Sequence, residues 1–159
     1  MRLREPRERV SPRARTMWAL TAAAEGLVLV VALAVAGPLT DWLPLPWWSV
    51  LIVALVVVAY VLIVPSWRYA VHRWEVTDTA VYTQTGWWAR ERRIAPMSRI
   101  QTVDHVEGAV ARLFGLSTVT VTTASAAGAL EIAGLERARA LALVDELTVM
   151  ADSVPGDAT

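Results

Sequence analysis

The chain reads as an α+β protein: two apolar helices paired as a membrane hairpin, then a small antiparallel β module capped by a C-terminal helix. Three observations predict this. Hydrophobic residues make up 55% of the 159 residues and are concentrated before Val64, against roughly 45–50% in soluble domains. From Tyr69 onward the apolar spacing changes from a helical period to a period of two. After Glu136 one helical stripe returns.

Charge and cysteine content narrow the function classes. Fifteen basic residues, every one an arginine, balance fifteen acidic ones. A general affinity for nucleic acid is therefore not implied. The chain has no cysteine, which excludes disulfides and thiolate chemistry.

Residues 1–16 form a basic arm, with six arginines against Glu5 and Glu8. Such an arm beside an apolar run is a retention signal for the cytoplasmic face. The hairpin is expected over 17–67. Its first span, 17–39, carries one charge, Glu25, and its second, 47–64, carries none. As helices they would measure about 34 and 27 Å, close to the roughly 30 Å of a hydrocarbon core. Pro46 suits a first helical turn, and Pro65 predicts an end or a kink. Arginine flanks both outer ends and is absent from the 40–46 connection, so both termini are expected in the cytoplasm of a plasma-membrane protein. Trp18 and Trp67 would mark the inner interface, and Trp42, Trp47 and Trp48 the outer one. Ala34-Val35-Ala36 before Gly37 has the form of a signal-peptidase site. The length of the run and Glu25 favour an uncleaved span, and with cleavage the second span still leaves the domain in the cytoplasm. Ala22 and Gly26, then Ala32 and Ala36, have the small-xxx-small spacing that permits close helix approach.

The β module is expected over 68–151. Trp74 and Val76 belong to a first strand, broken at the polar turn Thr77-Asp78-Thr79. Ala80 to Thr85 is a second strand. Gly86 turns into a third, Trp87 to Ile94. Val103 to Glu107 alternates, and Ala109 to Phe114 is a short apolar turn closed by Gly115. Thr118 to Thr123 pairs with Leu130 to Ala133, and Gly134 closes that hairpin. On the helix from Glu136 to Met150, the residues Ala140, Leu143, Val144, Leu147 and Ala151 make one stripe for the sheet. Residues 152–159 read as a disordered tail.

Some stretches are more specific: Ile94-Ala95-Pro96-Met97-Ser98-Arg99-Ile100-Gln101, then Gly108-Ala109-Val110-Ala111-Arg112-Leu113-Phe114-Gly115-Leu116, then Thr118-Val119-Thr120-Val121. Behind two membrane helices and a tyrosine-led strand, they resemble the membrane-flanked bacterial PH-like domain proteins, the YdbS-like group. The resemblance runs from Met17 to Met150. It implies a PH-like β-sandwich or partly open barrel, two packed antiparallel sheets closed at one end by the C-terminal helix. It implies membrane residence, a link in some members to tolerance of antimicrobial peptides, and no agreed biochemical activity. Trp87-Trp88 departs from the group's smaller aliphatic residues and points to contact with lipid or a partner.

No phosphate-cradling glycine loop, nucleophile elbow or metal-ligand spacing is present. His105 and Glu107 share a strand face without a nucleophile, so a hydrogen-bonded pair is the reading there. No enzyme, cofactor or metal is expected. Arg90, Arg92, Arg93 and Arg99, offset by Glu91, form a basic cluster beside Trp87 and Trp88. Guanidinium forks match phosphate geometry, while charge on an edge strand also guards against aggregation. Glu25, the one ionisable residue in a span, raises a transport reading, set against a carboxyl that faces the partner helix. The expected role is a membrane-anchored interaction or scaffold module at the inner face. Its partners would be the bilayer and another membrane protein, a second PH-like protein or a second copy, with no nucleic acid. The alternative is an anionic-lipid headgroup sensor using the four arginines.

Overall fold

A computed structural model describes residues 5–39, 46–86, 88–124 and 128–153. The expectations for Trp42, Trp87, the 40–45 connection and the tail beyond Ser153 lie outside these residues.

The chain opens with a two-residue strand, β1 (Glu8–Arg9), and a long helix, α1 (Pro12–Leu39). Helix α1 starts five residues before the expected span. Ser11 supplies the cap, its Oγ accepting from the Arg13 N–H at 3.3 Å, and Pro12 takes the first helical position, where no N–H is needed. The second helix, α2 (Trp47–Val71), continues through Pro65, so the expected end or kink there does not bound it. Proline removes one backbone bond. The last turn compensates by packing Tyr69 against the domain core and burying Val71. Tyr69 therefore ends a helix and does not lead a strand. Both helices are long and apolar enough to cross a membrane. They meet at Gly26, where an added Cβ would fall on the Val57 side chain.

Seven further elements follow: β2 (Arg73–Val76), β3 (Ala80–Thr85), β4 (Glu91–Pro96), a 3-10 turn (Met97–Arg99), β5 (Ile100–Val106), α3 (Ala109–Leu113) and β6 (Leu116–Thr123). The chain ends with β7 (Leu130–Glu136) and α4 (Arg137–Ser153). All strand pairs are antiparallel, in two sheets of order β1-β2-β3-β4 and β5-β6-β7. The sheets do not close into a barrel: β4 and β7 are edge strands. The stripe of α4 is buried as expected, with Ala140, Leu143 and Leu147 fully enclosed.

Two turns differ from the sequence reading. Gly86 has φ +113°, and an added Cβ would fall on the Ala89 carbonyl oxygen. The turn is thus wider than a two-residue hairpin, and β4 begins at Glu91, after Trp88. Gly134 does not close the last hairpin but lies inside β7 with φ +82°. It is the extra residue of a bulge, because Ser117 pairs with Leu135 while Thr118 pairs with Ala133.

From Glu5 onward the basic arm is in large part folded against the domain. Strand β1 pairs Glu8 with Trp74 and Arg9 with Arg73. The Ser11 N–H donates to the Gly134 carbonyl at 2.9 Å, and Val10, Ala14 and Trp18 join one core with Trp74, Val81, Leu116, Ile132 and Leu143. Trp18, read from sequence as an interfacial residue, is only 9% exposed. Burying that ring outweighs any preference for the headgroup layer, since a large aromatic gains several kcal/mol in a core. About twenty residues of α1 remain beyond Trp18, still roughly 30 Å of helix.

Candidate functional site

The four arginines leave β4 and the turns at its ends in different directions. Strand alternation aims Arg93 and Glu91 across the sheet from Arg92. Arg93 Nε donates to Glu91 Oε1 at 2.6 Å, and its Nη1 donates to the Ala129 carbonyl at 3.0 Å. It thereby bridges the open side between β4 and the start of β7. Arg92 turns the other way: its Nε donates to Gln84 Oε1 at 2.8 Å and its Nη2 to Glu5 at 3.3 Å. Arg90 also faces Glu5, at 3.8 Å. Arg99 stands exposed in the 3-10 turn. Trp88 is 89% exposed at the head of the turn before β4.

The open side carries two clefts, with Arg93 lining both. One, of about 380 Å³, is lined by Ile94, Ala95, Pro96 and Leu130 with Arg92 and Arg99. The other, of about 370 Å³, is polar and is lined by Arg68 and His72 at the end of α2 together with Thr83, Thr85, Glu91 and Glu131. At this end the two long apolar helices join the domain. The Trp18 ring has the Arg68 guanidinium 4.2 Å from its centroid and the His72 ring centroid 5.1 Å away. The Arg68 carbonyl accepts from both the backbone N–H and the ring Nδ1–H of His72. Burial first, and the Arg68 charge second, pull the His72 imidazole down to about 4, against the smaller opposing effect of its hydrogen bond. His72 is thus neutral at neutral pH.

A family model described as "Bacterial PH domain" matches residues 20–150, which covers most of α1, all of α2, strands β2 to β7 and most of α4. The chain belongs to the bacterial PH domain family. A relative in Bacillus subtilis (strain 168), the UPF0699 transmembrane protein YdbS, is 29% identical over 141 residues, 84% of this chain and 87% of the relative. No solved structure matches. With two helices of spanning length and a transmembrane relative, this bacterial PH domain chain is a membrane protein.

Two other sequence candidates fall away from the open side. Glu25 lies on the exposed face of α1, one residue from the Gly26 crossing point, and not against α2. It has no hydrogen-bond or ion-pair partner among the described residues. Glu107 does approach His105, at 3.7 Å, but its closer contact is Arg137 Nε at 2.9 Å. Arg112 and Ser117 also reach it. The carboxylate therefore ties the start of α4 to the ends of β5 and β6, a structural task. Among the described residues no acidic and histidine cluster could hold a metal.

The sequence reading missed Glu5 and Gln84 as members of the arginine group, and Arg68 and His72 as partners of Trp18. One signal was available for the arm. Ser11-Pro12 is a helix-start pair, and it places the onset of α1 ahead of the apolar run.

Proposed function

We propose that this protein is an adaptor fixed in the plasma membrane, whose open side binds a segment of another membrane protein. The observation that carries this reading is the unpaired edge of β4 beside the apolar cleft of Ile94, Ala95, Pro96 and Leu130, rimmed by Arg93 and Arg99. An edge strand offers free backbone groups to an extended chain, and the arginine rim favours an acidic one. The module acts by binding and not by catalysis. The arginines at the domain end of both helices, including Arg13, Arg15, Arg68 and Arg73, and their absence from the 40–46 connection support two crossings with both termini in the cytoplasm.

A photo-crosslinking residue at position 94, in native membranes, tests the adaptor reading. A discrete adduct is expected there, lost in an Arg93→Glu, Arg99→Glu variant. The same probe at Val149, exposed on α4, should give none. Equal labelling at both positions would reject the reading.

A second reading, recognition of an anionic lipid headgroup, is favoured by the other half of the cluster. Arg90 lines a recess with Trp67, which is half-exposed near the domain end of α2. Guanidinium beside an interfacial indole suits a phosphate at the membrane surface.

A further inference from the structure

Beside the end of α2 lies a recess of about 130 Å³ whose lining includes Trp67, Arg73, Gln84, Arg90 and Glu5. Its floor is built. Gln84 is 3% exposed; its amide nitrogen donates to the Val71 carbonyl at 3.1 Å and its Oε1 accepts from Arg92 Nε at 2.8 Å. The buried amide thus holds one guanidinium in a fixed orientation and connects it to the last residue of the membrane helix. Arg92 then presents Nη2, and Arg90 Nη1, to a single oxygen, Glu5 Oε1, at 3.3 and 3.8 Å. Two guanidinium groups converging on one carboxylate oxygen is the arrangement a phosphate oxygen takes. Arg73 adds a third cation to the wall.

The group in that position belongs to the chain itself. Glu5 lies three residues ahead of β1, so its side chain can withdraw while Glu8 stays paired with Trp74. Glu5 and Arg90 are both about half exposed. An ion pair of this kind is weak, about 0–1 kcal/mol. A phosphate diester offers the same charge with more acceptor oxygens, and Trp67 places the recess at the level where lipid phosphates lie.

We infer that Glu5 is an internal stand-in for phosphate: Arg90, Arg92 and Arg73, beside Trp67, form a lipid-phosphate site that the N-terminal arm keeps covered until an anionic lipid displaces the glutamate. This rests on the headgroup reading and adds to it the site and its internal competitor. The shared chemistry is a phosphate group; the location beside a membrane helix selects a lipid over the free ion.

The full-length protein in detergent is titrated with phosphatidylglycerol, phosphatidylcholine or inorganic phosphate, and bound molecules are counted by native mass spectrometry. Phosphatidylglycerol should bind in preference to the other two. Glu5→Gln should tighten it about twofold to fivefold, the range set by losing one exposed ion pair. Arg90→Gln should weaken it about tenfold and Arg92→Lys, which keeps charge but loses the fork, by a smaller factor. Arg99→Gln, outside the recess, should leave it unchanged; both Arg90 and Arg99 are exposed, so folding survives in each. If Glu5→Gln binds no tighter than the wild type, the internal competitor is refuted while the headgroup reading stands. If Arg90→Gln has no effect, matches Arg99→Gln, or phosphatidylglycerol binds no better than phosphatidylcholine, both are refuted. Inorganic phosphate binding as tightly as the lipid would refute the lipid assignment.

Discussion

A Cβ placed on Gly134 would stand 2.8 Å from the Cβ of Ala14. The bulge of β7 and the first turn of α1 therefore touch with no room for a methyl group. The φ of +82° at Gly134 adds a second demand for glycine. Gly134→Ala should lower stability by about 1–3 kcal/mol through overpacking and backbone strain together. Thermal unfolding of the full-length protein in detergent measures this, and Ala133→Gly on the neighbouring residue is the comparison. An unchanged midpoint for Gly134→Ala would contradict the contact.

The folded arm predicts that a fragment beginning at Tyr69 is not a stable domain. It would lack Val10, Ala14 and Trp18 from the shared core, and β1 from the edge of β2. Losing the tryptophan alone costs about 3–5 kcal/mol, a large part of the 5–15 kcal/mol typical of a domain. Dispersion of amide signals in NMR should be poor for this fragment and good for the full chain.

His72 predicts a pH dependence with a definite sign. Its folded value of about 4 lies below the ordinary 6.5, so the unfolded chain takes up a proton first as pH falls. The associated stability is complete above about pH 6.5 and is lost as pH drops toward 4, about 3 kcal/mol in all. Carboxylates titrate in the same range. The difference between wild type and His72→Gln, followed by unfolding midpoint against pH, isolates the histidine. A parallel pair of curves would remove the prediction.

Gly26 predicts the spacing of the two long apolar helices. A side chain there meets Val57, so Gly26→Leu should force α1 and α2 apart at a cost of about 1–3 kcal/mol. Distances between spin labels on the two helices should lengthen, and Gly26→Leu, Val57→Gly should restore them in part.

The arginines were legible as residue types near β4, and their grouping was not. Strand alternation alone sends Arg92 and Arg93 to opposite faces. Their partners lie far off in the chain: Glu5 is 87 residues from Arg92, and Ala129 is 36 from Arg93. No local pattern reports such pairs. Trp18 failed for a related reason. A tryptophan next to a basic arm has the composition of an interfacial anchor, and only the approach of Gly134, Arg68 and His72 makes its site a core.

Periodicity, arginine placement and turn glycines were enough by themselves to determine two apolar helices, a set of antiparallel strands and a capping helix with a buried stripe. These are short-range properties, set by backbone geometry and by which face of each element is apolar. Tertiary structure decided that the N-terminal segment belongs to the domain, that α2 runs through Pro65, and that the basic cluster divides between an open cleft and a recess held by Glu5. Each of those depends on free energy gained between residues distant in the chain, which becomes available only when the elements pack.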